Sequence, residues 1–247
     1  MKNLFQKNET FRASLSASAP VFFGYMGIGI PFGLMIANAG YPVWLAPVMS
    51  VSMYAGAGQY TAISLFAIGE NLASIALAEL LVNIRHLFYG LSLIKKLASL
   101  PFFKKTYIIF ALTDETYSLL TSVDVPKNKN INETNFYFFI AILNHSYWIL
   151  GGIIGAVAGS VLPFSFEGVD FALTALFIVL LIEQIKKTRE IFPPLAGFVG
   201  GALALILMKL HFIQNSNMLL VSLILTFVFL LFSKNENAKN SNGENDE

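Results

Sequence analysis

The sequence lacks cysteine and has few charged residues. None of its 247 residues is cysteine, which excludes disulfides, thiolate metal ligands and cysteine nucleophiles together. Only 13% of the residues are charged, against about 25% in soluble domains, and 55% are hydrophobic. A net charge of +1 gives no general attraction to nucleic acid. This composition predicts a single membrane domain with no soluble domain and no nucleic-acid partner.

Most of the chain consists of apolar segments joined by short polar stretches. A helix needs about 20 residues to cross a bilayer. The apolar segments are 21–39, 43–68, 72–96, 107–120, 136–162, 171–185, 192–210 and 218–232. We therefore predict a cytoplasmic leader at 1–18, one transmembrane domain at 19–233 and a disordered cytoplasmic tail at 234–247.

Two of these segments have features of interrupted helices. Segment 43–68 reads YAGAGQY at its centre, where two glycines beside a polar amide disfavour a continuous helix. Segment 107–120 would form about 21 Å of helix, which is short for a hydrocarbon core of about 30 Å. We expect both to be broken or re-entrant. The alternatives are a glycine-mediated helix contact with Gln59 hydrogen-bonded across it, and a short interfacial helix capped by Thr113 or Asp114.

The positions of the basic residues orient the chain. Lysine and arginine cluster at 95–105, 127–129 and 186–189, and such loops favour the cytoplasm. All three lie on that side if segments 43–68 and 106–121 do not cross the membrane. Six crossings then remain, with both termini in the cytoplasm. The predicted fold is an all-α polytopic membrane protein with about six full transmembrane helices and two broken or re-entrant segments, seven to eight hydrophobic segments in all.

Segment 72–96 carries polar residues near its middle. A charged side chain at mid-bilayer costs at least about 2.5 kcal/mol, so such residues are usually functional. On a helix, Glu79, Asn83 and His86 share one face, whereas Arg85 points to another side. The helix is therefore expected to offer polar groups to two neighbours.

Arg85 needs an opposite charge or water, because a guanidinium does not lose its proton. Asp114 and Glu115 lie together in segment 107–120 and are the natural candidates, although Glu79 is a further possible counter-ion. Glu79 is alternatively protonated, since burial favours the neutral carboxyl group. His86 has no histidine or carboxylate at the spacing of a metal site, so no metal and no cofactor is predicted.

Four runs of the sequence carry a resemblance to a known family. They are YAGAGQYTAISLFAIG, LLVNIRHLFYGLSL, LTDETYSL and GVDFALTALFIVLLIEQ. Together they resemble the AzlC family over most of residues 19–210, with VNIRH and TDE as the most specific parts. The resemblance implies the large subunit of a two-component exporter of branched-chain amino acids in a bacterial inner membrane. It also implies a small AzlD-like membrane subunit as partner, and no enzymatic activity.

An amino-acid carrier must bind a zwitterion that has an apolar side chain. The carrier has to offer a cation or a helix N-terminus to the carboxylate of the substrate, and an anion or carbonyl groups to its ammonium group. The predicted substrate-binding residues are Tyr54, Gly56, Gly58, Gln59, Asn83, Arg85, Asp114 and Glu115. The candidates for carrying a coupled proton are Glu79, His86 and His145. Because one methylene is worth only about 1–3 kcal/mol, such a pocket should accept leucine, isoleucine, valine and methionine.

Two other classes of function use the same charges. An intramembrane enzyme would pair Glu79 with His86, or Asp114 with Glu115, as acid and base; the sequence contains neither GxSxG nor HExxH. An oligomeric channel would line its pore with them. The stripe of Gly151, Gly155 and Gly159 is expected to pack against another helix, with the small partner subunit as the candidate.

Overall fold

The computed structural model describes residues 2–123, 125, 131–162, 189–213 and 224–231, together with positions 174, 178, 181, 182, 185, 186, 218, 221 and 222. These parts contain helices and no strand. Most of segment 171–185 and the whole tail 234–247 lie outside the described residues, whereas most of segment 218–232 is described and helical. The helices are α1 (Lys2–Asn38), α2 (Leu45–Ser52), α3 (Gly56–Ala67), α4 (Leu72–Leu97), α5 (Phe102–Phe110), α6 (Asp114–Ser122), α7 (Glu133–Val161) and α8 (Phe192–Lys209).

Four of these helices are long and apolar enough to cross a membrane: α1 from Lys7 onward, α4, α7 and α8. They coincide with four of the six predicted crossings, which confirms the all-α membrane class. The predicted leader 1–18 is the first part of α1. That helix also continues through Pro20 and Pro31, so the break that a proline permits does not occur there.

The first interrupted segment divides into α2 and α3. The break lies at residues 53–55, where Tyr54 has a φ of +44°. A bulky residue rarely adopts this left-handed conformation. Gly56 and Gly58, which the sequence suggested as the cause of the break, instead form the first turn of α3.

The second interrupted segment divides into α5 and α6. The Thr113 side chain caps α6 by accepting a 3.2 Å hydrogen bond from the backbone N–H of Thr116. The predicted break and the predicted cap are therefore both present. The basic loop predicted at 95–105 is shorter than expected, because α4 continues to Leu97 and α5 begins at Phe102.

By its contacts the chain divides into two compact units, and the first comprises residues 1–67 and 79–174. Within it, α1 and α7 pack side by side and run parallel. The Asn132 backbone N–H donates to Thr10 Oγ1 over 3.2 Å near both helix starts. Near both ends, a Cβ on Gly155 would overlap the Ile30 carbonyl oxygen and lie 3.0 Å from Gly33 Cα. Helix α1 of the same chain therefore packs on the glycine stripe of α7. The prediction that the partner subunit packs on this stripe was wrong.

The second unit comprises residues 68–78 and 175–247. Helix α8 of this unit has prolines in its first turn, where their missing N–H groups cost nothing, and residues 224–231 are also helical. A Cβ on Gly200 would lie 3.0 Å from the backbone nitrogen of Thr226. Close backbone packing through a glycine therefore occurs in this unit as well.

Candidate functional site

Arg85 and Asp114 form an ion pair between α4 and the first residue of α6. The distance from Arg85 Nη2 to Asp114 Oδ2 is 3.0 Å, and the two side chains are 31% and 30% exposed. Tyr89, one turn after Arg85, donates its hydroxyl to Asp114 Oδ1 over 2.5 Å. Asp114 rather than Glu79 is thus the counter-ion of Arg85, and both of its carboxylate oxygens have partners.

Glu115 points away from this pair and toward α1. The Tyr25 hydroxyl donates to Glu115 Oε2 over 2.9 Å and lies 2.6 Å from Thr113 Oγ1. Both carboxylates occupy the first turn of α6, where the helix dipole favours negative charge. Neighbouring residues on one helix turn therefore connect α6 to two different transmembrane helices.

Glu79 and Asn83 lie against the backbone of α3 at Gly58. Asn83 Nδ2 donates to Glu79 Oε2 over 2.9 Å. A Cβ on Gly58 would lie only 2.6 Å from Asn83 Nδ2, so only glycine leaves room for this pair. The other oxygens, Glu79 Oε1 and Asn83 Oδ1, are buried without a hydrogen-bond partner among the described residues.

Gln59 is fully buried and joins the interrupted segment to α7. It accepts a 2.8 Å hydrogen bond from Trp148 Nε1 and donates to Ser50 Oγ over 3.3 Å. The Trp148 ring lies 3.1 Å from the position of a Cβ on Gly56. Gly56 thus accommodates the indole ring, and the expected hydrogen bond of Gln59 across a helix contact is present.

His145 ties α7 to α2 and α5. Its Nε2 lies 3.0 Å from the Ser50 carbonyl oxygen, and its Nδ1 lies 2.9 Å from the Tyr107 hydroxyl. A carbonyl only accepts, so Nε2 carries a hydrogen, and in a neutral ring Nδ1 then accepts from the Tyr107 hydroxyl. The Tyr54 ring stacks on this imidazole with 4.2 Å between ring centroids. These bonds give His145 a structural position.

His86, a predicted candidate for carrying a proton, takes part in none of these hydrogen bonds. Its ring centroid lies 5.9 Å from that of Tyr89, and it has no hydrogen bond to another described residue. Within the described ranges, no group of three or more histidine, cysteine or acidic residues could hold a metal ion.

A second set of unpartnered atoms lies between α7 and the break at Tyr54. Asn144 Nδ2 donates to Thr116 Oγ1 over 3.1 Å, but its Oδ1 is buried without a partner in the described part of the chain. The Tyr54 hydroxyl faces those of Tyr25 and Thr116, yet none of them meets the geometry of a normal hydrogen bond with it. Buried polar groups are usually satisfied, so these atoms are candidates for water or ligand contact.

The structure divides the predicted site residues into groups instead of placing all of them together. Arg85 contacts Asp114, whereas Gln59 contacts Trp148. Tyr25 connects the groups, because it bonds to Glu115 and its ring lies 5.4 Å from that of Trp148. Five of the residues that build the site were not predicted from the sequence: Tyr25, Ser50, Tyr89, Tyr107 and Trp148. Only Tyr89 carried a usable signal, since it lies four residues from Arg85 on one helix face.

Comparisons with known proteins agree on one family. The family model described as AzlC protein matches residues 20–162. The branched-chain amino acid transport protein AzlC of Bacillus subtilis is 36% identical over 80% of this chain and 76% of its own length. An uncharacterized membrane protein of Helicobacter pylori strain J99 is 36% identical over 92% of this chain and 96% of its own length.

A more distant relative is the inner membrane protein YgaZ of Escherichia coli K12, at 30% identity over 79% of this chain and 80% of its own length. No solved structure is significantly similar to the chain. The family model covers more than half of the residues, including Arg85, Asp114 and every residue bonded to them, and each of the three relatives matches over at least 76% of its own length. The chain therefore belongs to the AzlC family.

Proposed function

We propose that this protein is the large subunit of a two-component exporter that moves branched-chain amino acids across a bacterial inner membrane. Its partner in this proposal is a small AzlD-like membrane subunit. The names of two relatives support transport and location: one is a branched-chain amino acid transport protein, the other an inner membrane protein. Four helices long enough to cross a bilayer are consistent with a carrier.

The observation that carries the proposal is the free side of the Arg85 guanidinium. Nη2 pairs with Asp114, but Nε is buried and has no hydrogen-bond partner among the described residues. A guanidinium in a membrane helix with an unused N–H group is an incomplete anion site. The carboxylate of an amino acid would complete it, and Asp114 would face the ammonium group, whereas Glu115 lies on the α1 side of the same helix turn.

Four other predicted substrate-binding residues lie in the interrupted segment. Tyr54, Gly56, Gly58 and Gln59 lie at or just after a helix break, and transporters often bind small polar substrates at such breaks. The proposed substrates are leucine, isoleucine, valine and methionine. An apolar pocket distinguishes side chains that differ by one methylene by only about 1–3 kcal/mol of binding free energy.

The first prediction tests the ion pair as a substrate site. The double variant Arg85→Met, Asp114→Asn removes both charges while keeping their bulk. A purely structural pair often tolerates such neutral replacement. We expect the double variant to insert and fold normally but to lose leucine export, because the carboxylate of the substrate no longer has a cation. Leucine flux is measured in vesicles that contain the chain with and without the small partner subunit.

The matched control removes the same two kinds of charge at exposed positions, with Lys95→Met and Glu9→Gln. It should export leucine at the wild-type rate. Wild-type export by a well-expressed Arg85→Met, Asp114→Asn variant would refute the binding role. Flux that does not saturate with leucine would favour a channel, and a chemically altered substrate would favour an enzyme.

A further inference from the structure

No positive group in the described surroundings of Glu79 would balance a charge on its carboxylate. The other charge near the middle of α4, Arg85, is paired with Asp114. Helix α3, against which Glu79 lies, contains no acidic, basic or histidine residue. Its one phenol, Tyr60, donates to the Ile28 carbonyl over 2.6 Å and so is committed elsewhere. An uncompensated carboxylate in a membrane helix is costly, which indicates a missing positive charge.

The atoms that lack partners beside Glu79 are all acceptors. Glu79 Oε1 and Asn83 Oδ1 are both buried and both without a donor among the described residues. The Asn83 amide already uses its Nδ2 to hold Glu79 Oε2, which fixes the orientation of both side chains. A Cβ on Gly58 would lie 3.3 Å from Asn83 Oδ1, so the lack of a side chain there leaves space beside this oxygen. These two donorless oxygens are of the kind that binds a hard cation.

This site is separate from the one at Arg85. Glu79 and Arg85 are six residues apart, which places them about 120° apart around the helix. Glu79 faces α3, whereas Arg85 faces α6. One small amino acid therefore does not contact both charges, and a second ligand has to balance Glu79.

We propose that Glu79 and Asn83, against Gly58 of α3, bind the monovalent cation that moves together with the amino acid, an inference that rests on the proposed function. One carboxylate matches one positive charge. Carboxylate and amide oxygens suit a hard cation such as sodium rather than a transition metal. A proton on the Glu79 carboxyl group is the other source of the same single charge. Asn83, which the sequence predicted as a substrate-binding residue, then belongs to the cation site.

Few other groups influence the charge state of this site. On α4 itself, His86 lies two turns further along, on the same face as Glu79. On α3, Gly58 contributes only backbone, and the Tyr60 hydroxyl is bonded to α1. A response to sodium or to pH at this site should therefore depend on Glu79.

Thermal unfolding of the purified full-length chain without leucine tests the site. We expect sodium chloride to raise the unfolding temperature of the wild type by a few degrees over choline chloride at equal ionic strength, because a ligand that binds only the folded state stabilises it. Glu79→Gln should abolish this shift. Glu79→Asp, which keeps the charge on a shorter side chain, should require about tenfold more sodium, which corresponds to one order of magnitude in affinity. Glu9→Gln, at an exposed position of α1, is the control and should respond as the wild type does.

The outcomes separate the two cations. A wild type that ignores sodium but whose unfolding temperature changes with pH, with the change lost in Glu79→Gln, identifies a proton site. If sodium and pH act equally on the wild type and Glu79→Gln, the proposal is overturned. Should Glu79→Gln not fold, Asn83→Leu removes Oδ1 at similar volume and should weaken the response about tenfold; an unchanged response there also overturns it.

The same preparation distinguishes this proposal from the proposed function. In vesicles, leucine export by the wild type should depend on a gradient of the cation identified above. A cation response that depends on Glu79, together with no leucine flux with or without the partner subunit, would leave the cation site standing and refute the transport role. Leucine flux without a cation response that depends on Glu79 would refute the cation site and leave the transport role standing.

Discussion

At the scale of single residues, the two tryptophans of the chain occupy opposite environments. Trp148 is 1% exposed and donates to Gln59, whereas Trp44 is 62% exposed. A buried hydrogen bond from an indole fixes the position of its acceptor, and an exposed indole of a membrane protein favours the lipid interface. Substituting each tryptophan in turn therefore measures how much the stability of the protein depends on the buried contact between Trp148 and Gln59.

We predict that Trp148→Phe destabilises the protein by about 1–3 kcal/mol, because Gln59 Oε1 becomes a buried acceptor without a donor. Trp44→Phe should change the stability by less than about 0.5 kcal/mol, as most surface substitutions do. Thermal unfolding in one detergent compares the two variants. Equal losses of stability would show that the Gln59 contact does not hold the interrupted segment against α7.

At the scale of helices, the glycines of α1 divide into two kinds. Gly29 and Gly33 face α7 at backbone distance, whereas Gly24 and Gly27 have nothing within 4 Å of a built Cβ. Small residues let membrane helices approach closely and gain van der Waals contact. The first kind therefore carries the packing of α1 on α7, and the second kind does not.

The corresponding prediction uses one substitution of each kind. Gly155→Ala places a methyl group on the Ile30 carbonyl and should force α1 and α7 apart, at a cost of about 1–3 kcal/mol. Gly27→Ala should be neutral or stabilising by up to about 1 kcal/mol, because alanine favours a helix over glycine. Unfolding temperature and yield from membranes measure both. A tolerated Gly155→Ala would contradict the close packing.

At the scale of the whole molecule, the parallel course of α1 and α7 restricts the topology. Both helices begin on the same side of the membrane, so the chain between them crosses an odd number of times. Helix α4 supplies one crossing, so the two interrupted segments either both cross or both remain on the side where they begin. The second arrangement is the one expected from the basic residues.

We predict that the connection between α4 and α5 is cytoplasmic. Ser99 is exposed in this connection, whereas Leu100 is buried, so Ser99→Cys is the informative position in a chain without cysteine. A membrane-impermeant thiol reagent added to intact cells should not label it. Asn38→Cys, at the exposed end of α1, should be labelled and serves as the control. Labelling of Ser99→Cys from outside would overturn the orientation.

The sequence by itself determined the class of the protein and the position of its apolar segments. These follow from local composition, because each segment has to satisfy the bilayer before it contacts any other. It also determined which residues are costly in lipid, and Arg85, Asp114 and Glu79 were found for that reason. The two interruptions were predicted, although the first lies at Tyr54 instead of at the glycines beside it.

Only the tertiary structure decided which polar groups meet. Tyr25 and Glu115 are separated by 90 residues, and Gln59 and Trp148 by 89. No local pattern connects such pairs, because their proximity results from how whole helices pack. The structure likewise gave the glycine stripe of α7 to α1 and decided which helix packs on each side of α4, α3 at Glu79 and α6 at Arg85. The chemistry of each residue was readable from the chain, but its partner depended on helix packing, which is a property of the folded molecule.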